Sequence, residues 1–122
     1  MTSRLWSAVL FLVLASAGLG PGLAAAGTPE EEIAYLLQQV EKSPLIFVRN
    51  SQEYSGREAA RHLRQKQVYF QEQIKTAEDF IRLAASHSLM SGKPYLVQLP
   101  DGRREECRVW LTRELQRFRA GK

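Results

Sequence analysis

Along residues 28–42 the apolar positions Ile33, Leu36, Leu37 and Val40 recur at i, i+3, i+4 and i+7, which places them on one face of a helix. Thr28, followed by Pro29 and Glu30-Glu31-Glu32, starts that helix: the hydroxyl accepts an orphan amide, Glu31 can return the bond, and the acids suit the positive helix end. Ser43-Pro44 ends it near residue 42. Leu45-Ile46-Phe47-Val48 is a short apolar, partly β-branched run closed by Arg49-Asn50-Ser51, the pattern of a strand entering a turn. Ser55 with Glu58 offers a second capping box, and Ala59, Leu63, Phe70 and Ile74 recur near helical spacing from Gly56 to about Gln73, predicting a long polar helix. Thr76 with Asp79 opens a third helix, whose buried side is Phe80, Ile81, Ala84 and Ala85 and which Ser86-His87-Ser88 ends. Ser91-Gly92-Lys93-Pro94 reads as a turn and Tyr95 to Leu99 as a strand. Pro100-Asp101-Gly102 is a second turn, leading to a short strand at Arg103 to Glu106. Trp110, Leu111, Leu115 and Phe118 mark a last helix over about 108–119. The expected fold is α+β: about four helices packed on a small, mostly antiparallel sheet of two or three strands.

The first 26 residues follow a different rule. Arg4 and the amino terminus give a positive start, an apolar run extends from Leu5 to Ala17, and Gly18, Gly20, Pro21 and Gly22 break it before Ala24-Ala25-Ala26. Those 13 residues fall short of the roughly 20 that a membrane-spanning helix needs. Short apolar core, breakers and an A-x-A site together predict a signal peptide over 1–26, cleavage before Gly27, no stable transmembrane anchor, and an exported, most simply periplasmic, domain over 27–122. Beyond residue 26 there are 16 Lys and Arg against 13 Asp and Glu, a net +3, within a length that supports one small core. The lone Cys107 excludes an internal disulfide framework. It reads as a buried free thiol, while exposure in an oxidising compartment would permit a disulfide-linked dimer through Cys107.

Several blocks keep a shared order and spacing: Leu45-Ile46-Phe47-Val48-Arg49-Asn50, Glu58-Ala59 with His62-Leu63-Arg64 and Lys66, Ile74 with Thr76-Ala77-Glu78 and Phe80-Ile81, then Ser91-Gly92-Lys93-Pro94-Tyr95 with Val97. On these the chain resembles the YfeK-like family of small exported bacterial proteins of unknown function, over nearly all of residues 30–115, with Ser51 standing where that family usually has Gly after the Arg-Asn pair. The resemblance implies an exported single-domain protein and no particular reaction.

Candidate chemistry concentrates in three places. Glu58, His62 and Lys66 lie at i, i+4 and i+8, one stripe of the second helix, where His62 can titrate near neutrality and Lys66 can hold an anionic group; the same spacing also suits an ordinary solvated face. Ser91, Gly92, Lys93 and Tyr95 form a localised turn that can cradle an anion or serve only as a strand entrance. Arg113, Arg117 and Arg119 belong to a basic C-terminal stretch with a local +4 over 103–122, suited to an anionic surface such as phospholipid or wall polymer before nucleic acid, or to internal pairing and the helix dipole. One Cys and two His 25 positions apart offer no zinc spacing, and no motif calls for a cofactor. The leading expectation is a non-catalytic module binding an anionic or peptide-like envelope partner. The alternative is a small envelope hydrolase or transferase using Ser91, Lys93 and His62, which requires those side chains to converge. Inhibition of a basic wall-degrading enzyme is disfavoured by the net +3.

Overall fold

The computed structural model describes residues 27–121, so the expected leader over 1–26 lies outside the described residues. Four helices, α1 (Pro29–Lys42), α2 (Gly56–Tyr69), α3 (Ala77–Ala84) and α4 (Cys107–Arg119), accompany four strands, β1 (Ile46–Arg49), β2 (Gln52–Tyr54), β3 (Leu96–Gln98) and β4 (Arg104–Glu106). The strands form one antiparallel sheet in the order β2-β1-β3-β4. The α+β expectation holds, with one strand more than the two or three anticipated.

The additional strand is β2. Gln52-Glu53-Tyr54 has no apolar alternation, and pairing with β1 rather than its own composition makes it a strand. Arg49 faces Gln52 in the register, so the loop is only Asn50-Ser51, and both residues have positive φ, 51° and 69°. That is the backbone sign of a type I′ turn, which matches the twist of the two strands and normally draws Asn-Gly. Asn50 tolerates the left-handed region; Ser51 occupies it at a cost.

All three expected capping boxes form, at Thr28 with Glu31, Ser55 with Glu58 and Thr76 with Asp79. Helix α2 ends at Tyr69, short of the expected Gln73: residues 70–73 continue as turns, with the Ile74 amide bonded to the Phe70 carbonyl at 3.1 Å, and Ile74 still packs on the core. Leu36, Val40, Phe80, Val97, Leu111 and Leu115 are the largest fully buried side chains, so every helix except α2 supplies one and β3 closes the set from the sheet. Helix α2 instead brings Ala60 and Leu63 inward and lies directly against α1.

That close approach depends on Gly56. A Cβ there would sit 2.2 Å from the Val40 carbonyl oxygen and 2.8 Å from that of Ser43, at the end of α1. At the opposite end of the helical layer Arg119 ties three helices together. Its guanidinium takes Glu32 of α1 through Nε (2.7 Å) and Nη2 (2.9 Å), and Glu78 of α3 through Nη1 (2.7 Å). Glu32 is buried, and this fork neutralises it.

Two stability outcomes follow from this geometry and are read from urea-denaturation midpoints. Gly56→Ala should destabilise the fold by about 1–3 kcal/mol, because the new methyl meets backbone oxygens that cannot rotate away. Ser51→Gly should stabilise it by about 0.5–1 kcal/mol, since relief of the left-handed serine exceeds the extra freedom glycine gives the unfolded chain.

Candidate functional site

Glu58, His62 and Lys66 do lie along one side of α2, but their environments differ. Glu58 is exposed and holds the Ser55 amide at 2.9 Å, which lowers its carboxyl below the usual range. His62 is half-buried, and Lys66 is only 6% exposed. The Lys66 ammonium donates to the His87 carbonyl at 2.8 Å and to the Tyr95 hydroxyl at 3.1 Å, and lies 4.9 Å from the centre of the Tyr95 ring. Among the described residues no carboxylate is paired with it.

The Tyr95 hydroxyl is also 3.0 Å from His62 Nε2. A charged lysine has only hydrogens to offer, so the phenol oxygen accepts from Lys66, and its own hydrogen is free for His62 Nε2 when that nitrogen carries none. That direction goes with a neutral imidazole whose hydrogen is on Nδ1. The electrostatics agree. Desolvation first, then the Arg49 and Lys66 charges, hold His62 below its ordinary 6.5. Desolvation, then Arg49, brings Lys66 down from 10.5 to about 8. Burial raises Tyr95, against the opposing pull of Arg49.

Arg49 ends β1 on the same face as Phe47, two residues earlier, because strand side chains alternate. Its guanidinium lies 5.0 Å from the Tyr54 ring centre and donates to the Tyr54 hydroxyl at 3.1 Å; it too has no carboxylate partner among the described residues. Between this face of the sheet and α2 is a cavity of about 230 Å³. Phe47, Tyr54, Ala59 and Leu63 contribute apolar wall, Arg49, His62 and Tyr95 contribute polar groups, and exposed Arg61, Gln65 and Glu58 border it. Lys66 stands behind Tyr95 and His62 rather than in the wall. Arg49 and Tyr54 were not among the residues singled out from the sequence. The available signal was an arginine two positions after Phe47 in an otherwise apolar strand.

The remaining candidates are placed elsewhere. Ser91 donates to Asn50 Oδ1 at 2.5 Å, and Asn50 Nδ2 donates to Ser88 at 3.2 Å, so the turn clips the β1–β2 hairpin to the loop after α3. An anion cradle needs free amides, and here the Ser91 amide bonds to Ser88 Oγ, the Gly92 amide to the Ser88 carbonyl, and the Lys93 amide to Ser91 Oγ. Gly92, with φ 74°, serves the turn itself. Lys93 is exposed, and among the described residues no hydrogen bond joins Ser91 or Lys93 to His62. From the set Ser91, Gly92, Lys93 and Tyr95, the structure therefore brings only Tyr95 to His62 and Lys66.

The C-terminal arginines are engaged within the fold: Arg113 with Glu105, Arg117 with Glu114 at 2.7 Å, and Arg119 with Glu32 and Glu78. Cys107 is 3% exposed, and burial, then Glu105, pushes its thiol up to about 12. A disulfide-linked dimer through Cys107 needs an exposed thiolate, which this position does not present. Among the described residues no group of three His, Cys, Asp or Glu is arranged to hold a metal, and no helix is long and apolar enough to cross a membrane.

Comparison with known proteins places this geometry in a family context. The chain is 44% identical over 62 residues to the uncharacterized protein YfeK of Salmonella typhimurium, covering 51% of this chain and 52% of that protein. The chain thus spans about half the length of the curated relative it matches. No solved structure matches it. The sequence model of a family of unknown function, DUF5329, matches residues 27–119, which span α1 through α4, the cavity and the Arg49–His62–Lys66–Tyr95 cluster included; the chain belongs to that family.

Proposed function

We propose that the protein is an exported, non-catalytic binding module that takes an anionic group into the cavity between α2 and the sheet. The observation that carries this reading is the buried Lys66 ammonium with no counter-ion among the described residues, set near an Arg49 that likewise has none. A buried cation is ordinarily paired, because uncompensated charge in a low-dielectric setting is costly. Here the available acids are used elsewhere, and the missing negative charge is what a ligand supplies. The leader-like first 26 residues support export to the periplasm. The cavity suits a small group or a single side chain better than an extended peptide.

Sulfate is a useful probe because its charge is constant across the pH range in which histidine titrates. Followed by NMR, His62 should titrate below 6.5 in chloride, and its midpoint should rise by roughly half a unit or more in sulfate at matched ionic strength. Arg49→Gln should remove the response. An unchanged His62 midpoint up to high sulfate concentration contradicts the proposal.

A further inference from the structure

We propose that the ligand is a small amphiphilic carboxylate, an anionic head joined to an apolar body about the size of one aromatic ring. This rests on the anion-binding reading of the same cavity and adds the chemistry of the rest of the ligand. Size limits the body. The cavity of about 230 Å³ falls below the range of roughly 300–1,000 Å³ typical of sites for drug-sized molecules, yet exceeds the roughly 150 Å³ that admits benzene in a buried apolar site. A ring with a carboxylate fits that interval, whereas a nucleotide does not.

The distribution of groups sets the polarity. Phe47, Ala59 and Leu63, with the ring of Tyr54, offer surface that a purely hydrophilic anion would leave unused. The head belongs at Arg49. Contact with Tyr54 through both ring and hydroxyl holds the guanidinium in place, and its other N–H groups carry no hydrogen bond to the described residues. A planar fork of that kind matches a carboxylate through two parallel bonds. When Tyr95 donates to Nε2, His62 keeps its hydrogen on Nδ1 and adds a neutral donor to the same cavity that Arg49 lines. A strongly hydrated dianion sheds more water against mostly apolar walls, so a monoanion binds more tightly and sulfate acts only at high concentration. Lys66, occupied by His87 and Tyr95, acts through its field and through the orientation of Tyr95.

Titration calorimetry with benzoate, acetate and benzyl alcohol, accompanied by His62 NMR shifts, tests this. Benzoate should bind at least about tenfold more tightly than acetate, through burial of its ring, and at least about tenfold more tightly than the uncharged benzyl alcohol. Arg49→Gln should bring benzoate to the level of benzyl alcohol. Ala59→Phe, which fills the cavity, should weaken benzoate about tenfold while sulfate still raises the His62 midpoint; the comparison among the three probes on the unaltered protein stands whether or not that variant folds. Equal affinities for benzoate and acetate, with the sulfate response intact, overturn the amphiphile and leave the anion site standing. Benzyl alcohol matching benzoate, with no sulfate response, overturns both. Benzoate that leaves His62 unmoved also overturns the inference.

Discussion

Placing an ammonium group beneath a sheet face without a carboxylate opposes folding, and neutral hydrogen-bond acceptors offset only part of the desolvation. Lys66 is in that situation. Its two acceptors are a backbone carbonyl and a phenol, and the charge that perturbs it, Arg49, repels it. The position of Tyr95, the neutral state of His62 and the open guanidinium of Arg49 all follow from or reinforce this unbalanced arrangement. A scaffold selected for stability alone would have an apolar side chain or an acid here.

The contrast with the rest of the molecule sharpens the point. Glu32 and Glu114 are buried as well, but Arg119 takes the first through a two-toothed contact, and Arg117 and Tyr35 take the second. On the sheet, Arg104 reaches from β4 to Glu53 of β2, so its side chain passes over the strands that carry Leu96 and Val48. Long arginine stems can cover apolar surface in this way while the head finds an acid. These pairings join helix to helix and strand to strand, and none of the ion-paired acids lines the cavity; Glu58, which borders it, is engaged by the Ser55 amide. Function and scaffold are thereby separated in electrostatic terms: closed ion pairs fix the frame, while Arg49 opens on the gap between α2 and the sheet and Lys66 stands behind Tyr95 and His62.

Much of the frame was legible from residue order, because caps and apolar spacing are local signals. Thr28, Ser55 and Thr76 each announced a helix that forms, and Phe80 and Leu111 were visible as core positions. What escaped detection was made by pairing. Gln52–Tyr54 is a strand only because a tight turn folds it onto β1, and Arg49 becomes a site residue only because Tyr54 then lies beside it. The i, i+4 spacing of His62 and Lys66 correctly placed them on one side of α2, yet spacing gives no measure of burial, and burial is what distinguishes Lys66 from a solvated helix lysine. The Ser91 turn shows the converse: its composition suited an anion cradle, but its amides are satisfied within the loop.

The pH dependence of stability in the native protein and in Lys66→Met tests the central claim most directly. The folded-state amine, near 8, lies below its ordinary 10.5, so between those values the unfolded chain holds a proton that the folded chain has released, and raising the pH favours folding. Relative to Lys66→Met, the native protein should therefore gain about 2 kcal/mol between pH 8 and 10.5, allowing for solvent screening, and at pH 7 the variant should be at least as stable as the native protein. A difference that does not change with pH, or a loss of several kcal/mol in Lys66→Met at pH 7, would show that the lysine charge is already compensated within the fold and would contradict this account.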